Sequence, residues 1–306
     1  MKIFVLGCGA YASALSIRLN KKNNLTMWCS FEEEMKKILE TRESPSFKGV
    51  YIPKDIKITT SFDDISNSDL IILAIPAIFV SNVLEKASNY IKDMPIVIAS
   101  KGITSDGFIS DIVKTYTNKI AVISGPSFAI DTVKEIPIGI TIASNNITDL
   151  IVKAFECFSI DTNTDIIGTE ICGSIKNVFA IGAGILNDMP ESTKCTYITK
   201  CLLETSNLIK KFNGNENTVL SYAGIGDLIL TANSNKSRNY SLGCLISKGN
   251  REEIKNYINN NTVEGLNTLH TINKLFSNIN MPIITILYDI IYNNKSFKTL
   301  IDYLKS

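Results

Sequence analysis

One lysine stands where an apolar helix would ordinarily exclude it. The stretch Glu170 to Ile185, EICGSIKNVFAIGAGI, repeats apolar residues at Ile171, Ile175, Val178, Ile181 and Ile185, close to one face of a 3.6-residue period. Thr169 is expected to cap its start. Three and four residues to either side of Lys176 stand Cys172, Gly173, Phe179 and Ala180, so no carboxylate of the same helix can pair with the ammonium. Burial disfavours the charged form of a lysine and brings it into range for proton transfer near neutral pH. The helix alone is equally compatible with a long stem that snorkels its ammonium to water.

A second chemical signal lies at the start of the chain. Gly7-Cys8-Gly9-Ala10-Tyr11-Ala12 reads G-x-G-x-x-A, with an apolar run before it and a helical pattern after it. In that context Gly7 and Gly9 allow a tight turn and the close approach of a pyrophosphate to a helix N-terminus, and Ala12 keeps helix and strand close. The carboxylate expected about twenty positions on, to hold a ribose 2′-hydroxyl, is missing, because the next strand ends in Trp28-Cys29-Ser30. No arginine stands there either, so NAD and NADP both remain open. His270 is the only histidine and falls in a C-terminal helical stretch, where it reads as a solvated residue. If the chain moves a hydride, its acid or base is therefore to be sought among lysines. Lys101, in Ser100-Lys101-Gly102, is the second candidate beside Lys176, since it follows the carboxyl end of a strand, where open α/β sheets bind ligands. Farther on, Gly224-Ile225-Gly226-Asp227 and Ser237-Arg238-Asn239 offer a carboxylate and a guanidinium fork suited to phosphate, although each could also be a surface turn.

The elements that must position these groups follow from the pattern. Lys2 to Leu6 forms a strand, Ala14 to Leu19 starts a helix, Leu25 to Trp28 is a second strand and Phe31 to Leu39 a charged helix. Strands at Leu70 to Ile75, Ile96 to Ala99 and Ile120 to Ile123 alternate with helices at Ala77 to Tyr90 and Asp106 to Tyr116; Ile138 to Ala143 and a helix around Leu150 to Phe158 finish the series. Buried strands alternating with helices predict an α/β fold, a doubly wound parallel sheet of the Rossmann type covered on both faces. From Thr169 the strand signal fades and helical patterns run to Ser306, so residues 1–168 are expected to form a nucleotide-binding domain and 169–306 an all-helical domain.

The totals agree with two domains, since 306 residues exceed what one core usually serves. Lysine plus arginine number 31 against 30 aspartates plus glutamates, which removes any electrostatic case for nucleic acid or an anionic membrane as the main partner. A small molecule fits better. The seven scattered cysteines contain no C-x-x-C, so no metal site is expected and reduced thiols in a cytoplasmic protein are. The opening MKIFVLGCGAYASALSI imitates a signal peptide, but its glycines fall where a phosphate-binding turn needs them. The apolar run Leu70 to Val80 is too short to span a bilayer and contains Pro76.

Taken together, GCGAYASAL, the SKGI at Ser100 to Ile103, SGPSFA at Ser124 to Ala129, EICGSIKNVFAIGAG at Glu170 to Gly184, AGIGDLILT at Ala223 to Thr231, SRN at Ser237 to Asn239 and VEG at Val263 to Gly265 resemble the NAD(P)-dependent glycerol-3-phosphate dehydrogenase family of bacterial type, nearly from end to end. That resemblance implies a Rossmann-like domain, a helical substrate domain, a site between them, and reversible oxidation of sn-glycerol 3-phosphate to dihydroxyacetone phosphate. It also suggests a dimer and a role in supplying glycerol phosphate for phospholipid synthesis.

By position it implies that Lys176 is the proton acceptor, oriented by Asp227 with Thr231 nearby, and that Lys101 contacts substrate and cofactor. Asn177, Gly125, Ser127 and Ser237 would line the substrate site, and Arg238 with Asn239 would hold the phosphate. Gly7, Gly9, Ala10, Tyr11, Ala12, Ser30, Lys101, Ala129, Arg238, Val263 and Glu264 match cofactor contacts. Some positions depart from the family pattern. Leu186 to Glu191 replaces a glycine-rich loop, Ser192 falls where asparagine is common, Lys200-Cys201 replaces arginine and glycine, and Ser30 replaces an arginine that often selects NADP. Rival readings are a β-hydroxyacid or 6-phosphogluconate-type dehydrogenase, which also carries a helical lysine, and a dinucleotide-binding sensor without catalysis.

Overall fold

A computed structural model describes all residues, Met1–Ser306, and resolves two compact units. The first comprises Met1–Lys101 and Phe108–Ile166, the second Gly102–Gly107 and Ile167–Ser306. The chain contains strands β1 (Lys2–Leu6), β2 (Asn24–Trp28), β3 (Glu43–Ser44), β4 (Phe47–Tyr51), β5 (Lys57–Thr59), β6 (Leu70–Leu73), β7 (Ile96–Ile98), β8 (Ile103–Thr104), β9 (Gly107–Phe108), β10 (Ile120–Ser124), β11 (Gly139–Ser144) and β12 (Ser159–Asn163).

Eight of these strands form the sheet of the first unit, in the order β12-β11-β10-β7-β6-β1-β2-β5. Alternation along each strand splits its side chains between two cores. Ile3 and Val5 join Leu15, Met27 and Val97 on one face, while Phe4 and Leu6 join Leu84, Ile98 and Val113 on the other. This is the two-sided burial that makes such strands read as continuous apolar runs. The sheet is parallel except for β10 and β11, which pair antiparallel, Ser124 opposite Thr141. The connection between them carries only the four-residue helix Ala129–Thr132, so no full helical crossover returns the chain to the start of β10. Two other expectations also need correction. The helix expected from Asp106 is confined to Ile109–Lys114 because Ile103 to Phe108 forms the β8–β9 hairpin, and β5 and β12, polar strands at the two edges, were not expected at all.

From β1 the chain winds to β2 and β5 on one side and then crosses to β6 on the other, so the strand order reverses between β1 and β6. Gly7 sits at that reversal, beyond the carboxyl end of β1, with φ +130°, and a Cβ there would lie 2.5 Å from the carbonyl oxygen of Ala74. Only glycine fits both the backbone conformation and the space.

The second unit is helical apart from β8 and is built around the helix Ile166–Ile185, 18 of whose 20 residues are buried. That helix is long and apolar enough to cross a membrane, but the protein itself covers 89% of its most apolar window. It starts three residues before Thr169, which therefore does not cap it and instead lies buried with its hydroxyl unpaired. Neighbouring helices approach it through glycines. A Cβ on Gly184 would stand 2.0 Å from the carbonyl oxygen of Tyr240, and one on Gly243 2.0 Å from that of Ile181. This close crossing sets the register of helix Arg238–Lys248 against the lysine helix. Tyr197, fully buried on helix Glu191–Lys211, donates its hydroxyl to the carbonyl of Phe179 at 2.8 Å. Glu204 of the same helix accepts the amides of Ile283 and Ile284 at 2.9 and 3.1 Å, capping helix Pro282–Tyr292 from outside its own segment.

Candidate active site

In the first unit the glycine turn leads into helix Ala10–Leu19, whose N-cap is Gly9 and whose first amides receive no side-chain cap. A Cβ on Gly9 would meet nothing within 4 Å, so the backbone there faces open space. Uncapped amides beside open space are what a pyrophosphate needs, and the turn thus fits a dinucleotide. Ala12 is fully buried in the core between this helix and the sheet.

Tyr11, Gly125, Ser127 and Lys101 are brought together beside the turn. The Tyr11 hydroxyl and Ser127 Oγ lie 2.9 Å apart, Ser127 Oγ also donates to the Gly125 carbonyl at 3.1 Å, and Lys101 Nζ stands 5.7 Å from the centre of the Tyr11 ring. Gly125 admits no side chain, since a Cβ would be 2.5 Å from the Gly139 carbonyl oxygen. Ala129 opens the short helix that follows, and Ser30 is exposed just past β2. Buried Ser100 holds the strand ends before Lys101: its Oγ donates to the Ile75 carbonyl at 2.6 Å and accepts the Ile75 amide at 3.1 Å.

In the second unit Lys176 is 7% exposed and Asp227 1%. Lys176 Nζ donates to Asp227 Oδ1 and, at 3.2 Å, to Thr231 Oγ1, which in turn donates to the Asp227 carbonyl at 2.7 Å. The snorkelling alternative is therefore set aside: the ammonium ends on a buried carboxylate. A short π-helical turn at Tyr222–Gly226 aims Asp227; Ser221 caps it, and Gly224 packs against Val219 too closely for any side chain.

Asn177, one residue on, belongs to a second network. Its amide nitrogen donates to Glu264 Oε2 at 3.2 Å, its oxygen accepts Asn239 Nδ2 at 3.0 Å, and Asn239 Oδ1 accepts the Gly265 amide at 2.9 Å. Val263 is the buried N-cap residue of the helix that begins at Glu264. Ser237 caps helix Arg238–Lys248 by accepting the Tyr240 amide at 3.3 Å, and Arg238 is exposed in its first turn. A guanidinium beside a helix N-terminus is suited to a phosphate dianion. His270 is exposed, packed against the rings of Tyr288 and Tyr292, and takes no part in either network.

The same arrangement can be compared with known proteins. The N-terminal model of NAD-dependent glycerol-3-phosphate dehydrogenase matches residues 2–149 and the C-terminal model matches 165–302. The chain belongs to the NAD-dependent glycerol-3-phosphate dehydrogenase family. Among relatives, glycerol-3-phosphate dehydrogenase [NAD(P)+] of Thermoanaerobacter sp. (strain X514) is 34% identical over 97% of this chain and 94% of its own length. That of Wolbachia pipientis wMel is 32% identical over the whole of both. The crystal structure of glycerol-3-phosphate dehydrogenase from Coxiella burnetii superposes with a TM-score of 0.91 at 26% identity, covering 100% of this chain and 98% of that one. D-mandelate dehydrogenase with NADH shares the fold at a TM-score of 0.60 and 15% identity, over 96% of this chain and 98% of that one.

Within a glycerol-3-phosphate dehydrogenase chain, several residues near the site carry no motif signal. Ser174 accepts the Gly102 amide at 3.1 Å and so fixes the backbone just after Lys101; one serine in an apolar helix gives no hint of that. Arg18 is buried, lies 4.4 Å above the Phe158 ring and donates to the carbonyls of Thr132, Lys134, Ile136 and Cys157, tying down the segment that follows Ala129. Glu34 brings its carboxylate to within 4.8 Å of the Cys8 and Cys29 thiols, a grouping of metal-ligating atom types that the cysteine spacing did not suggest.

Proposed function

We propose that the chain interconverts sn-glycerol 3-phosphate and dihydroxyacetone phosphate with NAD(P)(H). The buried Lys176–Asp227–Thr231 constellation, in a chain matched by the family models over nearly its whole length, carries this reading. When bound, the reduced nicotinamide supplies the hydride that the ketone carbon C2 accepts. Lys176 gives its proton to the oxygen of C2 as the carbonyl becomes an alcohol, and takes that proton back in the oxidising direction. Asp227 and Thr231 hold Nζ in place for that transfer. Arg238 pairs the substrate phosphate, Asn239 and Ser237 lie beside it in sequence, and Asn177, Gly125 and Ser127 complete the substrate contacts.

Gly7, Gly9, Ala10, Tyr11 and Ala12 would cradle the pyrophosphate, with Lys101, Ala129, Val263 and Glu264 as further cofactor contacts. In this reading residues 1–168 bind the dinucleotide and 169–306 bind the substrate. The product supplies glycerol phosphate for phospholipid synthesis in the cytoplasm, from a homodimer; the family likeness is the support for these last points. Oxidation of NADH and NADPH with dihydroxyacetone phosphate and with β-keto acids, and reduction of NAD+ and NADP+ with 6-phosphogluconate, followed by nicotinamide absorbance, test the reaction. Turnover of dihydroxyacetone phosphate alone is expected. Tight dinucleotide binding with no turnover of it would overturn the reading in favour of a sensor.

A further inference from the structure

The place that usually holds a ribose-binding carboxylate is occupied here by Cys29 and Ser30, yet a carboxylate reaches it from elsewhere. Cys8 stands between the two glycines of the turn and Cys29 follows β2, both buried, at the strand ends beside which an adenosine ribose would lie. Glu34 sits in the first turn of helix Glu32–Thr41, and its carboxylate lies within 4.8 Å of both thiols. We infer that Glu34 takes over the 2′-hydroxyl contact and makes the cofactor site selective for NAD(H) over NADP(H). This rests on the dehydrogenase reading above and adds the residue that decides between the two dinucleotides.

Three observations carry it. First, Glu34 differs from its neighbours. Glu32 and Glu33 are exposed in the same helical turn and already complement the helix N-terminus, whereas Glu34 is half-buried and turned toward the cysteines. Second, the Cys8 thiol brings no competing charge. Hydrogen bonding to Cys29 and burial push the Cys8 thiol well above its ordinary range, so it stays neutral beside the carboxylate. Third, the strand end supplies no cation for a 2′-phosphate. The strand end Trp28-Cys29-Ser30-Phe31 contains none. Lys36 pairs with Glu32 at 3.4 Å, and Arg42 donates to the carbonyls of Pro53 and Ile56 at 3.4 and 3.0 Å. A ribose hydroxyl can donate to Glu34 in a charge-assisted hydrogen bond. A 2′-phosphate would meet the same carboxylate with like charge and only acceptor oxygens.

Calorimetric titration of the intact protein with NADH and with NADPH, in the absence of substrate, tests this without relying on turnover. The wild-type protein is expected to bind NADH at least tenfold more tightly. Glu34→Gln is expected to shrink that ratio by about tenfold or more, the worth of a hydrogen bond to a charged group, while Glu33→Gln leaves it unchanged. Equal affinities in the wild type, an unchanged ratio in Glu34→Gln, or an equal fall in Glu33→Gln would each overturn the assignment, and dihydroxyacetone phosphate turnover would then still stand by itself. Failure to bind either dinucleotide would overturn this assignment and the dehydrogenase reading together.

Discussion

The ammonium of Lys176 and the carboxylate of Asp227, 51 residues apart in sequence, form an ion pair whose side chains are only 8% and 1% exposed. Removing one partner of such a pair leaves the other charge buried and costs about 3–5 kcal/mol, so Asp227→Asn should destabilise the protein by several kcal/mol in urea unfolding. Lys176→Ala should lower kcat by a factor of roughly 10²–10⁴, the range for a lost acid or base. The double variant should be less destabilised than the sum of the two singles, since the pair is then absent as a unit. Strict additivity in the unfolding free energies would show that the two residues do not act on each other, and near-normal turnover by Lys176→Ala would remove it from the chemistry.

Arg238 differs from Lys176 in being exposed, in the first turn of helix Arg238–Lys248. Arg238→Ala should therefore leave stability within about 0.5 kcal/mol of wild type, as surface substitutions do. It should raise KM for dihydroxyacetone phosphate by roughly 10–100-fold, the worth of a charge-assisted contact. Arg238→Lys should recover part of that loss, because the charge returns without the bidentate fork. Steady-state kinetics with the phosphate-free analogue dihydroxyacetone provide the control: if Arg238→Ala slows that substrate as much as the phosphorylated one, the guanidinium is not binding phosphate.

The lysine helix, the glycine turn and the central strands were legible because each rests on local pattern: apolar periodicity for Ile166–Ile185, a tight turn for Gly7, and continuous apolar runs for β6, β7 and β10. The edge strands were not. Lys57–Thr59 and Ser159–Asn163 are held by pairing along one side and remain polar, so nothing in their composition announces a strand. The reversal of β11 follows from the long, nearly helix-free connection before it, which reads like any other loop. Partners reached only through the fold were the hardest to see. The sequence around Lys176 shows no carboxylate for it, and the family resemblance, not the helix, named Asp227. Glu34 lay hidden for a related reason. The ribose carboxylate was sought at the strand end, whereas the chain brings one back from the following helix.

Glycines within helices invite a flexibility argument, but Gly184 on the lysine helix and Gly243 on helix Arg238–Lys248 act through space. Because a Cβ at Gly243 would stand 2.0 Å from the Ile181 carbonyl oxygen and 2.8 Å from the Gly184 Cα, Gly243→Ala has no low-energy accommodation. It should destabilise the protein by about 1–3 kcal/mol or more through overpacking. Since the same helix presents Arg238 and Asn239, separating the two helices should also raise KM for the phosphorylated substrate. Ser241→Ala, at a half-buried position of the same helix whose hydroxyl donates to the Asn235 carbonyl at 3.1 Å, is the comparison. If Gly243→Ala unfolds at the same urea concentration as Ser241→Ala, the close crossing does not constrain the fold.

Glu204 offers a test of buried electrostatics away from the reaction. It is 5% exposed and accepts two backbone amides at the start of helix Pro282–Tyr292, yet burial raises its pKa from 4.5 to about 7 against the lowering effect of those amides. Its folded pKa therefore lies above its unfolded value, and between about pH 4.5 and 7 the folded state holds more protons than the unfolded one. The stability this group contributes is full below pH 4.5 and is lost as pH rises through 7, by at most about 3–4 kcal/mol at 1.36 kcal/mol per unit. Glu204→Gln cannot ionise and should remove this fall, so the difference in unfolding free energy between variant and wild type should move in the variant's favour from pH 4.5 to 7 and level off above. A difference that stays constant across that range would show that Glu204 keeps its ordinary pKa in the folded protein.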